Sequence, residues 1–305
     1  MAVSNRIAGN AVGVLGMVVW ATNFPLSAEI LKTWHPLSLT PVRLAIAGLI
    51  VALAALAVGQ GRALLGLCAD RRVVWSGMAL GASSLFLVWG QKHTDAVTAA
   101  IIASSMPLLS VFFGWFAGRE RFTPMLVLAL LLAVGGGVTI SLSDLREGGE
   151  STLLGMVSLF VATVLYVLYS RLLVDGLPDT PVIAKTAAST LIAALLTSGI
   201  VWMAAFAGLF DPVIDLSERT LGLVVALGLA VGLSAVLWFW VGGRIGVTVA
   251  SVHSNLVPFY VILMAAVIGS NVMGLQVLGA LMVAMGAALA QWPSAPAFRK
   301  ETEAG

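Results

Sequence analysis

The sequence predicts an all-α polytopic membrane protein, with ten transmembrane helices arranged as two inverted five-helix repeats. Three observations carry that expectation. First, 60% of the residues are hydrophobic and only 10% are charged, with a mean hydropathy of +1.04. A soluble domain carries roughly 25% charge, so the solvent for most of this surface is lipid. Second, the apolar residues fall into runs long enough to cross a bilayer, which takes about 20 residues each. Third, one pattern occurs twice. The stretch 96–141 contains Ser104-Ser105-Met106-Pro107, an apolar run to Gly118, and Gly135-Gly136-Gly137. The stretch 247–290 contains Asn255-Leu256-Val257-Pro258, then Gly269 and Gly286. Pro107 and Pro258, Gly118 and Gly269, and Gly135 and Gly286 are each separated by 151 residues. Internal duplication of this kind is the mark of a fold built from repeats.

Ten spans follow, at 9–30, 38–59, 73–90, 97–116, 124–142, 152–172, 182–209, 221–241, 247–269 and 275–292. The first is too long for a signal-peptide core of about 7–15 residues, so it reads as a retained span. Pro178 and Pro181 precede the seventh span, and Asp211-Pro212 follows it. The domains expected are a first five-helix repeat at 1–146, a second at 147–292 and a polar cytoplasmic tail at 293–305.

Basic residues collect on the cytoplasmic side. With the amino terminus inside, the inner loops and tails hold 11 basic residues, among them Arg62, Arg71, Arg72, Arg171 and Lys185, and the outer loops hold 4. Both termini are therefore expected inside. Five spans is an odd number, so the second half enters the membrane inverted, and a site is expected near the midplane between the halves. Trp20 and Asn23 match Tyr166 and Tyr169 in this scheme. Pro36, followed seven residues later by Arg43, is matched with Pro178, followed seven later by Lys185.

These residues carry a family resemblance. Trp20-Ala21-Thr22-Asn23-Phe24, the Pro36 and Arg43 pair, and the run from Thr98 through Pro107 to Gly118-Arg119-Glu120-Arg121-Phe122-Thr123 resemble the drug/metabolite transporter superfamily in its ten-helix form with two EamA-type domains. The resemblance covers residues 9–291 and is weaker in the second half, where Asn271 stands in place of the acid represented by Glu120. Within the superfamily the chain is most similar to bacterial aromatic amino acid exporters. The resemblance implies a bacterial inner-membrane location and export of amino acids, aromatic and other neutral ones, and of related metabolites.

An amino acid crossing lipid brings two charges that need polar or aromatic partners. The candidates for substrate binding are Trp20, Asn23, Ser104, Ser105, Tyr166, Tyr169, His253 and Asn255. Tyr166 and Tyr169 are three apart and share a helix face. Aromatic faces can hold an ammonium by cation–π attraction or stack on an aromatic substrate. Serines in membrane helices also bridge neighbouring helices, so Ser104 and Ser105 have two readings. Tryptophans near span ends, Trp75, Trp89, Trp202 and Trp292, read as interfacial anchors. Arg43 is expected to snorkel or pair rather than touch substrate, and Arg43 and Lys185 are read with Pro107 and Pro258 as structural or gating residues. Pro107 and Pro258 each remove a backbone donor and read as kinks that shape or hinge a cavity, or as static bends. Gly135 to Gly137, with Gly279, Ala280, Ala284, Gly286 and Ala288, place small residues at helix-contact spacing, so the fifth and tenth spans read as close-packed scaffold or as an oligomer interface.

Several classes are disfavoured. Net charge of +2 does not suggest a nucleic-acid partner. The single Cys68 rules out an internal disulfide or a cysteine metal cluster. No metal site, cofactor loop or nucleophile–base pair stands out, so neither a cofactor nor an enzyme is expected, and an oligomer is not required. Glu29, Asp95 and Glu120 lie near span ends, which favours facilitated diffusion by alternating access over proton antiport. A proton-coupled exporter using His253 and a non-transporting metabolite receptor remain the rival readings.

Overall fold

The computed structural model describes residues 3–116, 152–267, 269 and 274–290, with positions 124, 125, 127, 128, 131, 132, 135, 136 and 139 between them. Helices α1 (Val3–Ala21) and α2 (Asn23–Ile30) form the first span, broken at Thr22. Next come α3 (Pro36–Ala57), a short surface helix α4 (Gly61–Cys68) and α5 (Arg71–Lys92). The fourth span is split into α6 (Ala96–Ala103) and α7 (Met106–Phe116). Then come α8 (Leu153–Val174), α9 (Val182–Phe206) and α10 (Glu218–Ile245). The last elements are α11 (Val247–Ser251), a 3-10 segment (Val252–Leu256), α12 (Val257–Val267) and α13 (Gly274–Ala290).

Among the described residues, eight segments are long and apolar enough to span a bilayer. They overlap the first four expected spans and the sixth to ninth. The tenth expected span overlaps α13, whose apolar stretch Gly274–Gly286 is shorter. Most of the fifth, 124–142, lies outside the described residues, as do the segment from Gly118 to Thr123, Gly137, Asn271, Trp292 and the tail. The sequence reading missed α4, which rests Leu64 and Leu67 on the bundle while Leu65 stays exposed.

Local chemistry sets the helix starts. An N-cap side chain satisfies one of the donors that an α-helix leaves unpaired at its beginning. Asp70 accepts from the Arg72 N–H at 2.7 Å, Asp95 from those of Val97 and Thr98, Thr152 from Gly155 at 3.0 Å and Ser217 from Thr220. His35 caps α3 through Nδ1, which accepts from the Leu37 N–H, and Pro36 occupies the first helical position, where its missing N–H costs nothing. Gly246, at φ +82°, ends α10 and turns the chain into α11, a backbone angle that side-chain-bearing residues rarely adopt.

Packing depends on small residues. A β-carbon on Gly90 would meet the Gly155 carbonyl oxygen at 2.9 Å, so α5 and α8 touch backbone to backbone. A β-carbon on Gly136 would lie as close to Gly279 O, at 2.9 Å, so the two small-residue segments meet within one chain. Helix α3 packs on α9, and α1 packs on α10 as α5 packs on α8. Outward-facing residues such as Leu53, Phe206 and Met203 are exposed, as suits a lipid-facing surface.

The two ends of the bundle are tied by different groups. At one end Arg219 pairs with Glu29 at 3.0 Å and Trp34 Nε1 donates to the Asp215 carbonyl. At the other, Arg72 Nη1 donates to the Gly176 carbonyl at 3.0 Å. Helices α1 and α2 run toward the Glu29 end. Helix α8 starts there, where the Thr152 N–H meets the His93 carbonyl, and runs the opposite way to finish near Gly176. Helices α3 and α9 begin at Pro36 and Val182, and the step between those two starts equals the step from Trp20 to Tyr166. The sequence pairing of Pro36 with Pro178 is thereby corrected. Pro178 lies in the turn before α9, and the helix begins only after Pro181. In the register of the helix starts, the position matched to Arg43 by spacing is Ser189, not Lys185.

Candidate functional site

Among the described residues, two small neighbouring cavities in the bundle share a pair of stacked rings in their linings. Trp20 and Tyr166 face each other with centroids 6.1 Å apart and planes 27° from parallel. The first cavity, about 40 Å³, is lined by Trp20, Tyr166, Met17, Leu87, Met106, Trp238, Ser254 and Val257 among others. That is room for about three waters at roughly 10–15 Å³ each, too little for an amino acid in this conformation. The second, about 30 Å³, lies beyond the stacked pair and reaches Arg43, Ser84, Tyr169 and Thr190.

The lining follows a rule. Met17 and Thr163 are the same distance apart in the chain as Trp20 and Tyr166, and all four line the first cavity. Ser83 and Ser234, Leu87 and Trp238, Ala103 and Ser254, and Met106 and Val257 line it too, each pair separated by 151 residues, the offset of the two prolines. Each of these residues is thus matched by one from the other half of the chain.

The broken spans bring four of these residues inward. Between α6 and α7 the chain leaves helical geometry at Ser104 and Ser105, and Pro107 is the second residue of α7. The 3-10 segment interrupts the ninth span in the same way, and Pro258 is the second residue of α12. Proline donates no hydrogen bond and is tolerated in the first turn of a helix, so each proline opens a new helical segment. Ala103, Met106, Ser254 and Val257 flank these breaks.

The expected site residues divide. Trp20 and Tyr166 line both cavities, and Tyr169 lines the second. Tyr169 Oη is within 3.1 Å of Ser189 Oγ. Asn23 does not line either; it is fully buried and its Oδ1 accepts from Arg43 Nη1 at 2.9 Å. Ser104 donates to the Ile101 carbonyl at 2.7 Å, and Ser105 Oγ is unpartnered; both sit beside the cavity rather than on its wall. His253 packs away from it, on α1: a β-carbon on Gly13 would lie 2.8 Å from the imidazole, and Nδ1 is 3.0 Å from the Ala250 carbonyl. Asn255 is buried, with Oδ1 unpartnered, outside both linings. Lys185 donates to the carbonyls of Leu173 and Leu177 at 3.1 and 2.8 Å, which caps the last turn of α8 as basic groups do.

Sequence reasoning missed Trp238 and Met17. Trp238 meets Tyr166 at 6.3 Å and donates from Nε1 to Ser170 Oγ at 3.1 Å. Nothing separates it in the sequence from its neighbours Phe239 and Trp240; the available signal was its place after Leu87, at the same offset that joins Pro107 to Pro258.

Arg171 bridges helices at one end of the bundle. Its Nη2 donates to the Ser110 carbonyl at 2.8 Å and to Thr248 Oγ1 at 2.7 Å, and its Nη1 lies 3.4 Å from Asp175. One guanidinium thus holds α7, α8 and α11 together. At the Glu29 end, Asp215 accepts from the Thr220 and Ser217 hydroxyls and the Ser217 N–H. These bonds, that from Thr220 foremost, hold its carboxyl below the usual carboxylate range. Burial, then the charge of Lys92, pushes the His35 imidazole below its ordinary value, which keeps Nδ1 free to accept as the α3 cap. A larger groove of about 360 Å³ between α3, α9 and α10 has only aliphatic and glycine walls and offers no polar partner to a charged solute.

Comparison with known proteins agrees with this architecture. Residues 7–142 match the EamA-like transporter family. An uncharacterized transporter of Bacillus subtilis (strain 168), YyaM, is 26% identical over 223 residues, covering 68% of this chain and 67% of its own. A solved crystal structure superposes with a TM-score of 0.69 at 25% identity, covering 93% of this chain and 96% of its own. The chain is a multi-pass membrane protein, and its residues 7–142 are similar to the EamA-like transporter family.

Proposed function

We propose that this protein exports amino acids, aromatic and other neutral ones, and related metabolites across a bacterial inner membrane. It works as a facilitator, by alternating access between two inverted five-helix repeats at 1–146 and 147–292, with the tail 293–305 and both termini cytoplasmic. The observation that carries the reading is the paired lining of the central cavity, built from Trp20 and Tyr166 and their neighbours. A two-fold relation that runs through a cavity lets one wall close while the other opens around the same ligand. The opposed directions of α1 and α8, and the matching packing of α1 on α10 and α5 on α8, support the inverted arrangement. Aromatic faces suit an ammonium group or an aromatic side chain.

His253, on which the proton-coupled alternative depends, packs on α1 outside the cavity lining, so the facilitator reading is preferred. Liposomes loaded with labelled phenylalanine or threonine test it. Efflux down a concentration gradient alone, unchanged by an imposed pH gradient, is expected. Efflux that starts only when a proton gradient is applied overturns the facilitator mechanism. Ligand binding without efflux under any gradient identifies a receptor instead.

A further inference from the structure

We propose that Arg43 is a carboxylate-binding subsite, placed behind the Trp20–Tyr166 stack, that orients the transported molecule by its acid group. The proposal rests on the amino-acid reading above for its choice of substrate, and on the geometry of the second cavity for the subsite itself.

Arg43 is 1% exposed and lines the second cavity. An ionised guanidinium removed from water is strongly unfavourable unless an anion or a full set of hydrogen bonds compensates it. Here the compensation is incomplete. Nη1 donates to Asn23 Oδ1, a neutral acceptor, while Nε has no partner. Among the described residues no carboxylate pairs with Arg43. Asn23 Nδ2, on the group that holds the guanidinium, is likewise buried and unpartnered. A planar guanidinium with a free donor edge, held beside a cavity, matches the two oxygens of a carboxylate.

The other half of the chain makes the same contact with different chemistry. In the register that matches Trp20 with Tyr166, the Asn23–Arg43 bond has its counterpart in the Tyr169–Ser189 bond. The second cavity thus has a cationic wall from the first half and a hydroxyl wall from the second, where Thr190 is the counterpart of Leu44 in the same register. Pseudo-symmetric walls alone would bind a ligand in either direction. Placing a cation on one side points the carboxylate toward Arg43 and leaves the apolar part among Trp20, Tyr166, Met17 and Trp238. The two cavities join when the stacked rings turn aside.

Thermal-shift titration of the detergent-purified protein separates the parts of this idea, because a ligand of the folded state raises Tm in proportion to its occupancy. The probes are 3-phenylpropionate (acid without amine), phenethylamine (amine without acid) and phenylalanine. Wild-type protein is expected to respond to both acids at lower concentrations than to phenethylamine. Arg43→Gln is expected to shift the midpoint for the acids upward by roughly 10- to 100-fold and to leave phenethylamine nearly unchanged. Asn23→Asp supplies an internal carboxylate to Arg43 and is expected to have the same effect without deleting the cation. Arg43→Lys is expected to fall between. If Arg43→Gln does not yield monodisperse protein, Asn23→Asp and Arg43→Lys carry the test. Unchanged midpoints for the acids in these variants, or no response of the wild type to either acid, overturns the proposal. A response to phenylpropionate that Asn23→Asp abolishes, together with no phenylalanine efflux from liposomes, keeps the carboxylate subsite and overturns the amino-acid reading alone.

Discussion

Two aromatic rings in face-to-face contact form a wall that can also stack on a third ring. Trp20 and Tyr166 make that wall, and Phe24 and Trp238 support it from the sides at 6.1 and 6.3 Å. An aromatic contact contributes about 0.5–1.5 kcal/mol beyond the buried area, which is about a 2- to 13-fold change in affinity. Trp20→Ala and Tyr166→Ala are therefore expected to raise the half-saturating concentration for phenylalanine by that factor and to change threonine little, with normal size-exclusion profiles. Equal losses for both substrates in well-folded variants would mean that the rings serve the scaffold. Trp20 and Tyr166 were legible in the sequence because a large aromatic amid an apolar run recurs at the matching position of the other half. Asn23 and His253 carried an equally strong signal, yet Asn23 serves Arg43 and His253 packs on Gly13. Polarity marks a residue as needing a partner; only the fold says whether that partner is another residue or a cavity.

At the scale of elements, the interrupted fourth and ninth spans act together. Helix α6 lies against α12, and α7 against α11, so the two breaks meet in mid-bundle and bring Met106 and Val257 to the cavity wall. Arg171 ties α7 and α11 to the end of α8 through Ser110 and Thr248. Hydrogen bonds to a charged group contribute about 1.5–3 kcal/mol, enough to hold this end closed by roughly tenfold or more. Arg171→Gln should therefore open it. In a Cys68→Ser background, Met106→Cys is expected to react with a water-soluble thiol reagent at least about tenfold faster when Arg171→Gln is added. An unchanged rate would show that Arg171 fastens the helices without gating the cavity. The prolines of both spans were readable as breaks, since proline has no N–H to donate. The Arg171 bridge was not readable, because its partners Ser110 and Thr248 come from helices 61 and 77 residues away in sequence.

For the whole molecule, orientation depends on where the basic residues lie. Arg71 and Arg72 begin α5 at the Gly176 end, and Asp215 sits at the Glu29 end. Under the positive-inside rule the first end is expected on the cytoplasmic side. With Cys68 replaced by Ser, Asp215→Cys is expected to react with a membrane-impermeant thiol reagent in intact cells, and Arg71→Cys only after the cells are opened. Labelling of the Arg71 position from outside would reverse the proposed topology and, with it, the assignment of the Arg171 bridge to the cytoplasmic side.

By itself the sequence determined the solvent, the helical class and the position of eight spans, because lipid demands long apolar runs with every backbone group bonded within its own helix. It also carries prolines and glycines that recur at one spacing of 151 residues, on which the proposed duplication rests. The tertiary structure decided the register of the second and seventh spans, since a proline in a turn and a proline at a helix start look alike in sequence. It decided which polar groups face a cavity, since that depends on the rotation of each helix about its axis. It also decided that Arg43, which the sequence left to snorkel or to pair, is buried beside one neutral partner. A charge near a span end can reach water only if the neighbouring helices leave it a path; around Arg43 they close it off, and the residue lines a cavity instead.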